Sequence, residues 1–194
     1  MHHPTLILAS KSPRRRELLE NMGIHFEVME ADIEETEAGD PVRVVMDNAL
    51  GKAQKIQERC PDRVILGADT VVCVDGEVFG KPRDALDAAR MLSALSDRWH
   101  EVYTGVALLL PGKTLRAYDQ TRVHFTLIRP EEMEAYIRSG EPFDKAGAYA
   151  IQGRAGMLID RIEGSFSNVI SLPQALVRDL LFQAENNLGQ IQMG

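Results

Sequence analysis

Residues 6–19 constrain the fold most: Leu6-Ile7-Leu8-Ala9 runs into Ser10-Lys11-Ser12-Pro13, then Arg14-Arg15-Arg16 and Glu17-Leu18-Leu19. The apolar run is short and reads as a buried strand. A helix pattern follows through Leu18, Leu19 and Met22. Ser12 suits its N-cap, and Pro13 its first position, where a missing N–H costs nothing. The three arginines then fall in the first turn, where the partial positive charge of the helix terminus disfavours them. Two readings fit. The arginines form a solvated basic turn, or an anionic ligand sits there, held by backbone N–H groups, the hydroxyls of Ser10 and Ser12, and the guanidinium groups.

Helical and strand periods alternate along the rest of the chain, which indicates an α/β class. A strand is expected over 24–29, then an acidic stretch containing Glu34 and Glu35. Asp40-Pro41 opens a long helix with Val42, Val45, Met46, Ala49, Ala53 and Ile56 on one face. Residues 63–74 are mostly apolar and β-branched, interrupted by Asp69 and Thr70. Asp75-Gly76 is a two-residue hairpin turn. A helix over 84–95, two long strands around Pro111-Gly112 and a helix from Pro130 follow. Residues 146–156, rich in Gly and Ala, read as a loop near a ligand. A strand over 157–162 and a closing helix over 173–188 complete the chain, with 189–194 expected to be loose.

Extending the hairpin register from Val74 opposite Glu77 puts Thr70 opposite Lys81 and Asp69 opposite Pro82. Asp69, Thr70, Lys81 and Arg83 should then meet at one end of the hairpin. A carboxylate inside a buried strand is costly unless it is paired or holds a metal. A structural salt bridge from Asp69 to Lys81 and a functional cluster both satisfy that. Taken alone, Lys52 reads as a snorkelling lysine, and Glu34 and Glu35 as a solvated loop. Gln152 could cap a loop or read a ligand. His100 and His124 stand apart and read as structural.

Composition narrows the classes. The net charge of −7 argues against non-specific binding to a nucleic-acid polymer or an acidic membrane. A local cluster of Arg and Lys is more notable on that background. Cys60 and Cys73 fit no metal spacing and read as reduced thiols in a cytoplasmic protein. No run reaches membrane-span length, and no secretory signal pattern is seen. Nucleophile elbow, P-loop and dinucleotide fingerprint are all absent.

The ordered set of motifs resembles the Maf family of nucleotide pyrophosphatases. The matching pieces run from Leu8-Ala9-Ser10-Lys11-Ser12-Pro13-Arg14-Arg15 through Ile33-Glu34-Glu35-Thr36, Lys52-Ala53 and Gly67-Ala68-Asp69-Thr70. They continue through Gly80-Lys81-Pro82-Arg83-Asp84, Tyr103-Thr104-Gly105 and residues 144–153 to Gly164-Ser165-Phe166-Ser167-Asn168-Val169-Ile170. They keep family order and cover nearly all of the chain as a single domain, 1–194.

The resemblance implies an elongated mixed β-sheet with flanking helices and two lobes around a substrate cleft. It implies hydrolysis of a nucleoside triphosphate to monophosphate and pyrophosphate with a divalent metal, Mg²⁺ or Mn²⁺, and it allows a homodimer. In the dTTP/UTP subgroup the proton acceptor maps onto Asp69. Residues tied to substrate choice map onto Arg14, Thr70 and Gln152, and charged cleft residues onto Glu35, Lys52 and Lys81. Asp69 and Glu35 are hard oxygen ligands suited to the metal. Ser10, Ser12 and Arg15 join Arg14 as expected phosphate contacts. The family also permits another reading, a nucleotide-binding regulator of cell division with little turnover. Two positions depart from its pattern: Ala155 and Ser171 each replace a glycine.

Overall fold

The computed structural model describes residues 6–191, with side chains as far as Asn186. The strands are β1 (Leu6–Leu8), β2 (Phe26–Val28), β3 (Ile65–Val74), β4 (Glu77–Phe79), β5 (Trp99–Leu110), β6 (Lys113–Phe125) and β7 (Ile159–Glu163). The helices are α1 (Pro13–Asn21), α2 (Pro41–Gln57), α3 (Ala85–Leu95), α4 (Pro130–Arg138), α5 (Phe166–Ile170) and α6 (Gln174–Ile191). All seven strands join one mixed sheet, ordered β2-β1-β3-β5-β6-β7 with β4 beside β3.

Strand β1 lies parallel to both neighbours and is covered on both faces. Leu6 and Leu8 pack with Leu19, Leu66, Leu108 and Val177, while Ile7 packs with Ala49, Ala53, Ile56 and Leu109. Burial on both sides is why this strand reads as a continuous apolar run rather than an alternating one. Ser12 caps α1 through its Oγ, which accepts from the Arg15 N–H, and Pro13 is the first helical residue. Asp40 caps α2 in the same way, accepting from the Arg43 N–H at 3.0 Å.

The hairpin starts in the expected register: Val74 faces Glu77, Cys73 faces Val78 and Val72 faces Phe79. It ends there, three pairs in. Gly80 turns its carbonyl to the N–H of Gly147 at 3.0 Å, and Pro82 has no N–H to offer a ladder. On the other side of β3, Asp69 and Thr70 pair with Gly105 and Thr104 on β5. The consequence is a split edge. On this edge β1 occupies Ile65 and Leu66, β4 occupies the stretch from Val72 to Val74, and among the described residues no strand lies against 67–71 between them.

The split divides the molecule into two lobes. One core gathers Val72, Phe79, Leu92, Leu95 and Phe125; the others lie around β1, α1, α2 and α6. Helix α5 lies where no helix is expected, and the Gly/Ala-rich stretch forms two short 3-10 turns, Ala146–Ala148 and Arg154–Leu158. Helix α6 runs on to Ile191 instead of loosening at Gly189. Residues 192–194 lie outside those described. Among the described residues no helix is long and apolar enough to cross a membrane.

Candidate active site

Strand parity decides which way the polar residues of β3 point. Asp69 shares the face of Ile65, Gly67 and Val71, and that face meets α2. Two glycines let the helix lie directly on the sheet. A Cβ on Gly67 would stand 2.2 Å from the Ala49 carbonyl oxygen, and one on Gly105 would stand 2.3 Å from that of Val45. This approach brings Asn48 and Lys52, one helical turn apart, onto the Asp69 carboxylate. Lys52 Nζ is 2.7 Å from Oδ1, and Asn48 Nδ2 donates to Oδ2 at 3.0 Å. Lys52 also reaches Glu35 Oε1 at 3.0 Å. Asp69 is 5% exposed and Lys52 8%, so the snorkelling alternative for Lys52 gives way to a buried ion pair. The Glu35 side chain is 40% exposed and faces the open cleft.

Thr70 points to the opposite face. There Arg15 is buried with four hydrogen bonds: Nε to the Ser171 carbonyl (3.0 Å), Nη1 to the Ala68 carbonyl (2.8 Å) and Ser10 Oγ (3.3 Å), and Nη2 to Thr70 Oγ1 (3.0 Å). Thr70 Oγ1 also lies 2.9 Å from Thr104 Oγ1 and donates to the Ser171 carbonyl at 3.3 Å. Burial pulls the Arg15 pKa below its ordinary value, opposed by the nearby charges of Asp69 and Glu35. Arg15 therefore bolts α1 to β3 and to the segment after α5, with little donor capacity left for a ligand.

Between these clusters runs a cleft of about 540 Å³. Ser10, Ser12, Arg14, Arg15, Glu35, Lys52, Asp69, Thr70 and Lys81 all line it, joined by Lys11 and Lys145. Val72, Val102, Tyr149, Val169 and Ile170 add apolar wall to these charged groups. Ser10 Oγ accepts from the Ser12 N–H at 3.1 Å and Ser12 Oγ from the Arg15 N–H, which leaves both hydroxyl protons free to donate. Arg14 lies 3.6 Å from Asp144 across the cleft, and Asp144 also holds Lys145 at 2.5 Å.

Two expectations need correction. The cation on Asp69 is Lys52, not Lys81, because the hairpin ladder ends before Lys81; that lysine is exposed on the cleft wall. Arg83 does not join the cluster, since its Nε binds Asp87 at 3.2 Å at the start of α3. Gln152 sits in an exposed turn three residues beyond Tyr149 and is not part of the cleft wall. His100 is fully buried against Tyr149 Oη at 2.7 Å, and burial lowers its pKa to about 3, so it stays neutral. His124 forms a surface pair with Asp160 at 2.6 Å.

The two departures from glycine resolve differently. Ala155 has ordinary backbone angles and joins the core, so no glycine is required there. Ser171 adopts φ 150°, a glycine-favouring angle, and its buried Oγ has no partner. Sequence reasoning missed Asn48, Thr104 and Ser171 as members of the site. Asn48 left a signal: a polar residue on the buried stripe of α2, four positions before Lys52.

A family model described as Maf-like protein matches residues 5–184. A dTTP/UTP pyrophosphatase from Gloeobacter violaceus is 46% identical over 185 residues, covering 94% of this chain and 97% of that one. Proteins of the same description from Bacillus cereus and Bacillus cytotoxicus are 45% and 46% identical, each covering 90% of this chain and 93% of the relative.

Proposed function

From the premise that this chain belongs to the Maf family, we propose that it hydrolyses dTTP and UTP to the monophosphate and pyrophosphate. The observation that carries this reading is the buried Asp69 carboxylate, clamped by Lys52 and Asn48, at an open sheet edge facing a cation-lined cleft. A triphosphate laid in this cleft meets Lys11, Arg14 and Lys81 together with the Ser10 and Ser12 hydroxyls. Asp69 accepts a proton from the attacking water. The new bond forms from the water oxygen to the α-phosphorus, the α–β anhydride bond breaks, and pyrophosphate leaves with the bonding electrons. Cations fixed beforehand around the leaving group stabilise its growing charge without reorganising during the reaction.

The donor set also fits a hard divalent cation. Asp69 and Glu35 both contact the Lys52 ammonium, so the two carboxylates stand side by side at the cleft and keep spare lone pairs. Among the described residues no third carboxylate, His or Cys completes a cluster, so these two would hold Mg²⁺ or Mn²⁺ together with phosphate oxygens and water. When bound, the ion would neutralise phosphate charge.

Base choice belongs to the same proposal. Uracil and thymine offer an N3–H beside a carbonyl, and a Gln amide offers the complementary pair. Gln152 would supply it if its turn folds over the cleft mouth. Because Gln152 is exposed, its contribution is that of one net hydrogen bond, about 1 kcal/mol, or roughly five-fold in discrimination. A cytoplasmic location completes the reading, consistent with the free thiols of Cys60 and Cys73. The relatives are named for turnover, which disfavours the reading as a regulator with little activity.

The test is product analysis on a panel of triphosphates with and without Mg²⁺ or Mn²⁺. UMP and pyrophosphate from UTP are expected, with UTP and dTTP ahead of CTP, ATP and GTP. UDP and orthophosphate would overturn the bond assignment. Gln152→Ala should lower the UTP over ATP ratio of kcat/KM about five-fold.

A further inference from the structure

Glu35 lies on a segment, residues 29–39, that has no helix or strand of its own. Something other than a backbone ladder must hold it against α2. Met29 and Ala31 pack against the core at Ala49, Ala53 and Ile56 at its start, and three contacts hold the stretch around Glu35. Ile33 lies close over Gly51, where its Cδ1 stands 3.2 Å from the place a Cβ would take. Glu35 meets Lys52. Thr36 is clasped by Asn48: its backbone N–H donates to Asn48 Oδ1 at 2.9 Å, and its carbonyl accepts from Asn48 Nδ2 at 2.9 Å. That amide copies the two-bond pairing of a β-ladder. The same Nδ2 donates its other hydrogen to Asp69 Oδ2 at 3.0 Å. Asn48 is 4% exposed, and every polar hydrogen of its side chain is committed.

We infer that Asn48 is a positioning residue that fixes the Glu35 segment and the Asp69 carboxylate relative to one another through a single amide. The inference rests on the pyrophosphatase reading for its effect on rate. Lys52 supplies charge to both carboxylates, but a flexible four-carbon stem does not set their geometry. The short Asn side chain, locked at both ends, does. Its neighbour one turn along α2 and the glycine-lined approach of that helix keep it in place.

Chemistry separates this role from packing. Asn48→Asp keeps size and shape but loses both Nδ2 donations and sets a carboxylate against Asp69 Oδ2 and the Thr36 carbonyl. Asn48→Ala removes the clasp altogether. The expected result is a fall in kcat of about 10- to 100-fold for each, the scale for residues that orient catalytic ligands. KM for UTP should change less than three-fold, because the phosphate-facing cations are untouched. The second measurement needs no turnover. Hydrogen exchange should show the Thr36 amide protected in the wild type and in Asp69→Asn, and unprotected in Asn48→Ala, while β3 amides stay protected in all three. A folded Asn48→Asp with wild-type kcat, or a loss confined to KM, overturns the inference. An unprotected Thr36 amide in the wild type overturns it too. Should the wild type release no pyrophosphate, the functional reading falls, and the exchange result alone then decides for or against the clasp.

Discussion

Asp69 and Thr70 are neighbours in sequence and opposites in structure. Asp69 faces α2, and each of its oxygens has one protein partner, so each keeps lone pairs for water or a ligand. Thr70 faces α1 and the segment after α5, and its hydroxyl already meets Arg15, Thr104 and Ser171. A single strand thus separates a face with unspent hydrogen-bonding capacity, the one proposed to react, from a fastening face, where capacity is used up. Adjacency in sequence therefore carries little information about shared role; strand parity carries more.

The largest test of that contrast is Asp69→Asn. The substitution removes the charge and leaves an amide donor facing either Lys52 or Asn48. Turnover should fall about a hundred- to ten-thousand-fold, the usual loss for a general base. Unfolding free energy should drop by no more than about 1–3 kcal/mol, the scale for one unsatisfied buried group. A purified, folded variant with near-normal kcat would make Asp69 a fastener like its neighbour and erase the distinction.

Arg15→Lys comes next. One ammonium cannot reach the spread of acceptors that the guanidinium fork holds at Ser10, Ala68, Thr70 and Ser171. Losing two or three of those bonds at roughly 1 kcal/mol each should lower stability in urea by about 2–3 kcal/mol. Turnover should suffer far less than in Asp69→Asn. The opposite pattern, intact stability with lost turnover, would move Arg15 to the reactive side.

Ser171→Gly should have the smallest effect and the opposite sign. Its φ of 150° strains a serine, and its hydroxyl is buried without a partner. Glycine relieves both, which should stabilise the fold by about 1 kcal/mol, read as a raised midpoint in denaturant. A destabilised variant would show that the serine contributes something the fastening face needs.

Much of this was legible in the chain. Caps at Ser12 and Asp40, the Asp75-Gly76 turn and the apolar stripe of α2 all stand where local chemistry puts them. Motif order brought nine of the ten expected site residues to one cleft, Gln152 being the exception. What failed was non-local. Gly80 and Pro82 are local signals that the β3–β4 ladder weakens beyond Phe79, but they do not say which cation takes the place of Lys81 on Asp69; that depends on α2. Lys52 looked like a surface residue because its burial depends on Gly67 and Gly105, which lie 15 and 53 positions away in sequence. The short helix α5 is too brief for a periodic signal, and the fastening role of Arg15 depends on Ser171 at the far end of the chain.

The split edge of the sheet has a consequence for solubility. A strand whose backbone lacks a neighbour is a template for pairing with another chain, and proteins guard such edges with inward-pointing charges. Here the guard at residues 67–71 is the Arg15 guanidinium, which donates to the Ala68 carbonyl. The guanidinium that fastens α1 to β3 thus also occupies an edge acceptor that a second copy would need. Arg15→Lys, which gives up part of that fork, should therefore raise the tendency to self-associate along with lowering stability, a change light scattering would read.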